Sequence, residues 1–369
     1  MFPEDYLISV EKLKWFWIAE DFIQGEGRAE DIAEDYLIEL MDRSLIQVAE
    51  NFWGNTYKCR IHDLLRDVAV EKAKEVNLFD IYDPNKSTSS RRRQAIHNHI
   101  GKYLPFGSSH RILRSMLLFN PDYQESVKIG LLDFTCQRFR YLRVLDLENV
   151  KCRFHSGSRS SSHTLGDIGN LVHLKYLGLT NTNLSQLPKH IFCRLNGDLN
   201  VVNLINLRTL RYVRYHKWAE MDTNNLVNLE ELAIEHINPI EKANYSLETI
   251  GKLKNLRNLF LGCSVSAGFP SLEPLSSCRS LFKLWLDGRI ENQSWLEVLP
   301  ISLTELNLSC TVIMERRFSA AKEFPQLEAL YLSDLHSLEK WGSEKGGLPV
   351  LRGLGRHGCP MLKMIPGKI

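Results

Sequence analysis

Histidine, cysteine and carboxylate side chains are plentiful in this sequence, yet their spacing sets up almost no chemistry. Twelve histidines, eight cysteines and 44 Asp/Glu are spread over 369 residues. No Ser/His/Asp, Cys/His or paired-carboxylate arrangement survives a test of spacing, so no catalytic residue is assigned and the chain reads as a non-enzyme. The cysteines include no Cys-x-x-Cys pair, which fits reduced, mostly buried thiols of a cytosolic protein. His97-Asn98-His99 offers two imidazoles and no third ligand nearby, so no metal site is expected. Gly-Lys occurs at Gly101-Lys102, Gly251-Lys252 and Gly367-Lys368, but Ile96, Ser246 and Leu362 stand where a phosphate-binding loop needs its first glycine. His62-Asp63 stands at the end of a predicted strand, where Asp63 can cap a following helix.

The elements that would position this pair lie in residues 1–80. Ser9 caps a predicted helix running to about Gln24, ended by Gly25 and Gly27. Ala29 to Arg43 carries apolar residues at Ala29, Ile32, Ala33, Tyr36, Leu37, Leu40 and Met41, the stripe of a one-faced helix. Ile46–Ala49 and Thr56–Ile61 read as strands around a Gly54-Asn55 turn. A third helix follows Asp63, with Leu65, Val68, Ala69, Ala73 and Val76 on one side. Helix, helix, hairpin, helix is a winged-helix order.

Residues 81–90 are polar, with Pro84 and a Ser/Thr run, and read as a linker. Arg91-Arg92-Arg93 could serve nuclear localisation, but it runs directly into an irregular first repeat strand. From 91 to 369 one phrase recurs. Leu142-Arg143-Val144-Leu145-Asp146-Leu147 returns as Leu174-Lys175-Tyr176-Leu177-Gly178-Leu179, and again from Leu229, Leu256, Leu281, Leu303 and Leu327. Copies start roughly 22 to 33 residues apart, the period of leucine-rich repeats. One unit cannot bury its own leucines and must stack on its neighbours, so the fold class is α/β, a small winged helix followed by a horseshoe solenoid of parallel strands.

Strand side chains alternate, so the residues around each Leu-x-Leu pair face outward on the concave side. These include Val144, Asp146 and Glu148; Tyr176, Gly178 and Thr180; Thr209, Arg211 and Val213. They continue through Asn258, Phe260 and Gly262; Lys283, Trp285 and Asp287; Glu305, Asn307 and Ser309; Ala329, Tyr331 and Ser333. Phe260, Trp285 and Tyr331, with Asp287 and Asn307 beside them, form an expected protein-binding ridge. Lys151–Thr164 breaks the spacing and reads as an insertion. Asn181–Pro188 is the most regular ascending turn, and His357–Pro366 is a late repeat.

The net charge of +2 hides an asymmetry. Residues 1–80 hold 9 Lys/Arg against 18 Asp/Glu, whereas residues 91–220 hold 20 against 8. Opposite blocks suggest docking of the winged helix on the early repeats, with Arg138, Arg140, Arg143, Arg208, Arg211 and Arg214 as the expected contacts. Phosphate contact needs Lys and Arg, so an acidic winged helix is a poor candidate for DNA binding. No apolar run is long enough to span a membrane, and the acidic start is unlike a signal peptide. Five Asn-x-Ser sequons, among them Asn183 and Asn307, therefore read as chance.

Phe2-Pro3-Glu4-Asp5-Tyr6 and Leu13-Lys14-Trp15-Phe16-Trp17-Ile18-Ala19-Glu20-Asp21-Phe22-Ile23 resemble the winged-helix (ARC2) segment of plant nucleotide-binding leucine-rich-repeat immune receptors of the coiled-coil class. Tyr36-Leu37-Ile38-Glu39-Leu40 and Arg43-Ser44-Leu45-Ile46 fit the next family block. Arg60-Ile61-His62-Asp63-Leu64-Leu65-Arg66-Asp67 is similar to the family's Met-His-Asp motif, with Ile61 in place of Met. The resemblance implies an intracellular receptor, cytoplasmic or nuclear, acting in defence by protein recognition through its repeats. It also implies that His62 and Asp63 sense bound ADP, His62 at the β-phosphate. Residue 1 falls inside the family's nucleotide module, so the chain is expected to be amino-terminally truncated. Without a phosphate loop it is expected to hold no cofactor tightly; ADP or ATP would belong to a full-length relative. Implied partners are a pathogen effector or a guarded host protein, and the nucleotide-binding module of a full-length relative. The alternatives are a winged-helix nucleic-acid-binding protein and an extracellular repeat recognition protein.

Overall fold

The computed structural model describes residues 2–52, 55–83, 85, 92–97, 112–120, 126–128, 135–153, 165–182, 201–237, 246–263, 268–289, 294–309, 317–320, 324–343 and 348–363. Gly54, most of the 81–90 linker, Arg91, His99, the 154–164 insertion, Asn183 and the last residues of the late repeat lie outside them. Two compact units emerge: residues 1–210 with 221–226, and residues 211–220 with 227–369.

The first unit opens with β1 (Ile8–Ser9), α1 (Val10–Ala19), α2 (Ala29–Asp42), β2 (Ile46–Phe52), β3 (Asn55–Ile61) and α3 (Asp63–Glu75). The strands form an antiparallel sheet in the order β1-β3-β2, so the winged-helix order holds. Ser9 caps α1 by accepting from the Lys12 N–H at 3.5 Å. That helix stops at Ala19, short of the expected Gln24. Asp21 takes a left-handed φ of 57°. Phe22 N–H then reaches Trp17 O at 2.9 Å and Asp21 N–H reaches Ile18 O at 3.2 Å, which closes a Schellman ending. Ser44 and Asn77 end α2 and α3 in the same way.

After β4 (Asp80–Ile81) come the repeat strands β5 (Arg93–His97) and β6 (Ser115–Phe119), then β7 (Ser126–Lys128), β8 (Val144–Asp146), β9 (Lys151–Arg153) and β10 (Tyr176–Gly178). Strands β4, β5, β6, β8 and β10 pair in parallel in that order, and β7 pairs separately with β9. Met116, Leu145 and Leu177 share a register row and are buried in the repeat core. Each buried leucine of this kind contributes about 2 kcal/mol. Leu-x-x-Leu segments close tight turns, with Leu174 N–H on Leu171 O at 2.8 Å and Leu207 N–H on Leu204 O at 3.0 Å. Asn206 Nδ2 donates back to Val172 O at 2.7 Å, tying one repeat to the last. Asn149 and Asn181 take positive φ just after their strands, and Asn181 Nδ2 donates to Asn149 Oδ1 at 3.1 Å.

β11 (Thr209–Arg214) spans the division between the units. The second unit continues with β12 (Glu231–Ile237), β13 (Asn258–Cys263), β14 (Lys283–Asp287), β15 (Glu305–Ser309), β16 (Arg317–Ala320), β17 (Ala329–Ser333), β18 (Lys340–Ser343) and β19 (Gly353–His357). β12, β13, β14, β15, β17 and β19 form one parallel run in register; β16 pairs with β18. Leu259, Leu284, Leu306 and Leu330 make the core row. Strand turns need the left-handed region, taken by Gly288, Asp334 and Gly358. A Cβ on Gly288 would meet Cys263 Cβ at 2.6 Å, so no other residue fits there.

One outward position is corrected. Val213 is buried in the repeat core rather than lining the concave face. Tyr212 takes φ 60°, which breaks the two-residue alternation and puts Arg211 and Tyr212 consecutively outside. Cys59, Cys136, Cys278 and Cys359 are buried free thiols, and burial pushes the Cys59 and Cys278 thiols up to about 11.

Candidate functional site

Two surfaces carry the chemistry, one in each unit. In the first unit the outward positions of the early repeats are covered by α1. Ala95, Leu117, Phe119, Val144 and Tyr176 join Phe2, Val10, Leu13 and Phe16 in one hydrophobic cluster. Phe16 meets Tyr176 edge-on at 4.7 Å, and Phe119 packs against Phe2 at 5.6 Å and Tyr6 at 5.1 Å.

Inside this cluster lies a buried ion group. Lys12 Nζ lies 2.5 Å from Asp146 Oδ2 and also contacts Glu148 Oε2. Asp146 is 1% exposed. Burial works against the Lys12 ammonium, but Asp146 and Glu148 outweigh it and hold its pKa well above the usual lysine value. Burial, reinforced by Glu148, raises the Asp146 carboxyl even with Lys12 beside it. At the rim Glu20 pairs with Arg93 at 2.7 Å, and Asp21 contacts both Arg143 and Lys175. Burial raises Glu20 despite Arg93. Asp21 is held low, because Lys175 and Arg143 overcome its partial desolvation.

Of the six arginines expected at this contact, Arg143 pairs with the winged helix, through Asp21. Arg140 is exposed and Arg138 half-buried beside the turn before β8; Arg208 N–H bonds Lys175 O. Arg211 and Arg214 are corrected: they belong to the second unit, where Arg211 Nε lies 3.2 Å from Glu231 Oε1 and Arg214 faces Glu235. Lys12, Glu20, Asp21, Arg93 and Lys175 were missed. Net charge pointed to the rim pairs but not to the centre, where the lysine comes from the acidic block and the carboxylates from the basic one.

In the second unit the same outward positions alternate with buried leucines. One register row runs Ala233, Phe260, Trp285, Asn307, Tyr331 and Gly355 across five pairings. Tyr212 and Phe260 sit 5.4 Å apart and Phe260 meets Trp285 edge-on at 5.5 Å. The aromatic ridge therefore exists as Tyr212, Phe260 and Trp285. Tyr331 and Asn307 are corrected: both are buried, and Asn307 separates Tyr331 from Trp285. Asp287 lies in the next row, beside Gly262 and Ser309. Burial alone raises its carboxyl.

His62 stands at the start of α3, exposed, with its Nδ1 accepting the Leu64 N–H at 3.3 Å. The cap is thus His62, and Asp63 is corrected to the first turn of α3, where a carboxylate suits the helix dipole. Accepting at Nδ1 leaves Nε2 as the donor of a neutral ring. The expected apolar side of α3 is largely uncovered: Ala73 is buried, but Val68 is 54% and Val76 69% exposed, as is the neighbouring Leu64. His97 packs edge-on against Phe119 at 5.3 Å. Among the described residues no group of three or more His, Cys, Asp or Glu could hold a metal ion, and no helix is long and apolar enough to cross a membrane.

Comparison with known proteins gives these arrangements a context. The disease resistance protein winged helix domain matches residues 1–69, and a leucine-rich repeat region matches residues 113–355. An RPP13-like disease resistance protein of Arabidopsis thaliana, protein 3, is 32% identical over 90% of this chain and 41% of its own length. Disease resistance protein RPP13 of the same plant is 28% identical over 96% of this chain and 43% of its own. RPP8 is 28% identical over 99% and 47%. The chain thus spans less than half of each. Among solved structures, an internalin from Listeria monocytogenes covers 73% of this chain and 77% of its own at 16% identity and a TM-score of 0.39.

Proposed function

Because this chain belongs to the plant disease resistance proteins that join a winged helix domain to a leucine-rich repeat region, we propose that it forms the sensing end of an intracellular immune receptor. It does no catalysis. The repeats of the second unit recognise another protein, a pathogen effector or a guarded host protein, through the Phe260–Trp285 face. The first unit holds the winged helix on the early repeats through the Lys12 ion group and the Phe16–Tyr176 contact.

The observation that carries this reading is the split fate of one strand face. In the first unit it is covered by α1 and dry; in the second it carries aromatic side chains with polar neighbours, the usual composition of protein anchors. Coupling to nucleotide runs through His62. Its Nε2–H can donate to a phosphate oxygen, and the exposed Leu64 and Val68 beside it form an apolar surface suited to a nucleotide-binding module supplied by the wider protein. This chain alone holds neither ADP nor ATP tightly. The family matched favours neither a nucleic-acid-binding protein nor an extracellular repeat protein.

The test replaces the matching segment of the Arabidopsis RPP13-like relative with this chain and expresses the chimera in leaf tissue. The expected result is a silent receptor that Lys12→Glu or His62→Ala converts to pathogen-independent cell death. A chimera that stays silent with both substitutions, at normal protein levels, would refute the latch and its coupling.

A further inference from the structure

The open face of the second unit has a charge problem at one corner. Its other described carboxylates are matched: Glu231 by Arg211 at 3.2 Å, Glu305 by Lys283 at 3.1 Å, and Glu235 by the charge of Arg214. Asp287 is half-buried and has no ion pair or hydrogen bond among the described residues. A carboxylate drawn from water without a partner is costly, and nothing in the packing of β14 calls for an acid at its end.

A second, independent irregularity lies beside it. Asn307 is 7% exposed, and its Oδ1 is buried with no hydrogen-bond partner. The register sets Asn307 directly next to Trp285, whose Nε1 is likewise buried and unpartnered. Buried polar atoms are normally satisfied, so an orphaned acceptor next to an orphaned donor on an outward face marks groups waiting for a ligand. Neighbouring strands bring these two side chains within about 5 Å, and Asp287 lies about 7 Å along β14 on the same face. Gly262, in register with Asp287, adds no side chain to cover the carboxylate. A Cβ there would press on the Phe260 ring at 3.2 Å.

We propose that the Trp285–Asp287–Asn307 corner binds an arginine or lysine side chain of a partner protein. The carboxylate takes the charge, the indole and the Phe260 ring take the flat or apolar face of the cation and its stem, and Asn307 Oδ1 accepts an N–H. The Trp285 N–H is left for a carbonyl of the same partner segment. The charge among these three side chains is the Asp287 carboxylate's, which selects a cation over an anion. The proposal rests on the reading of this face as the recognition surface and names the chemistry it selects.

The experiment pans a displayed library of random dodecamer peptides on the full chain, then measures single peptides by calorimetry against the parent chain and the Asp287→Asn, Trp285→Phe and Phe260→Ala variants. The expected winners share an arginine or lysine whose replacement by citrulline or norleucine weakens binding at least tenfold. Asp287→Asn should cause the same loss, with no further loss when both changes are combined. Trp285→Phe should keep the preference for the basic residue. Peptides that depend on Phe260 but contain no needed basic residue, or whose basic residue counts equally on Asp287→Asn, would overturn this proposal and leave the recognition surface standing. Failure to enrich any peptide that Phe260→Ala weakens would remove both. Unfolding curves showing Asp287→Asn at least as stable as the parent chain exclude a folding artefact.

Discussion

β6 and β14 share one plan, a buried pair two residues apart (Met116 and Leu118 in β6, Leu284 and Leu286 in β14), and end differently. In β6 all five residues are buried; in β14 the two leucines are buried and the three residues around them are half-exposed. The inward pairs are not the cause, since both strands bury them alike. The intervening residues decide: Ser115, Leu117 and Phe119 in one, Lys283, Trp285 and Asp287 in the other. An apolar outer row lets α1 seal the face, whereas a charged and aromatic row keeps it open to water and to partners. A repeat protein can thus build a docking seat and a reading surface from one backbone by changing every second residue.

The sharpest way to break the contrast is to open the sealed face. Lys12→Met leaves Asp146 buried and Glu148 half-buried without their cation and should cost about 3–5 kcal/mol in denaturant unfolding of the full chain. Adding Asp146→Ala and Glu148→Gln should restore most of that loss; no recovery would mean that Lys12 acts through packing. Phe16→Ala removes the ring against Tyr176 and should cost about 3 kcal/mol. Asp21→Asn loses two half-exposed ion pairs, about 1 kcal/mol together at low salt. In 0.5 M salt that loss should shrink while the Lys12→Met loss persists, because only the rim is screened. Asp287→Asn, on the open face, should raise stability at neutral pH by a few tenths of a kcal/mol, after allowing for its partial exposure. Lower stability would show that Asp287 serves the fold.

The pH behaviour follows from the signs. Asp21 is lowered in the folded state, so its stabilisation is complete above the unfolded value of about 3.9 and lost as pH falls through the lowered one. Lys12 is raised, so its contribution is complete below about 10.4 and lost only as pH climbs past the raised value. Neither group titrates near neutrality. Unfolding of Asp21→Asn and of the parent chain, compared at pH 5.5 and 8.5, should give the same difference.

Much of this was legible in the sequence. The Leu-x-Leu period placed the repeat strands and their outward rows, because alternation is a property of the backbone. Sequence also placed the winged-helix elements, since their stripes and caps are local. It missed the end of α1, where Asp21 enters a conformation usually reserved for glycine. It missed Val213, because a positive φ at Tyr212 is invisible in a pattern of residue types. Net charge, being a sum, could locate the rim of the first-unit contact but not the inverted centre. Lys12, a lysine within an acidic block beside the apolar Leu13 and Phe16, was the available clue; Asp146 stood at an outward position, where an acid gives no sign of burial.

Asp21 has a practical consequence. Its backbone pays for a left-handed turn while its carboxylate grips Arg143 and Lys175. Replacing it with glycine relaxes the first and abolishes the second, two effects of opposite sign and similar size. A thermal-shift screen would score such a change as silent. Natural variation at this position would therefore pass unnoticed by stability assays while retuning how readily the winged helix lets go.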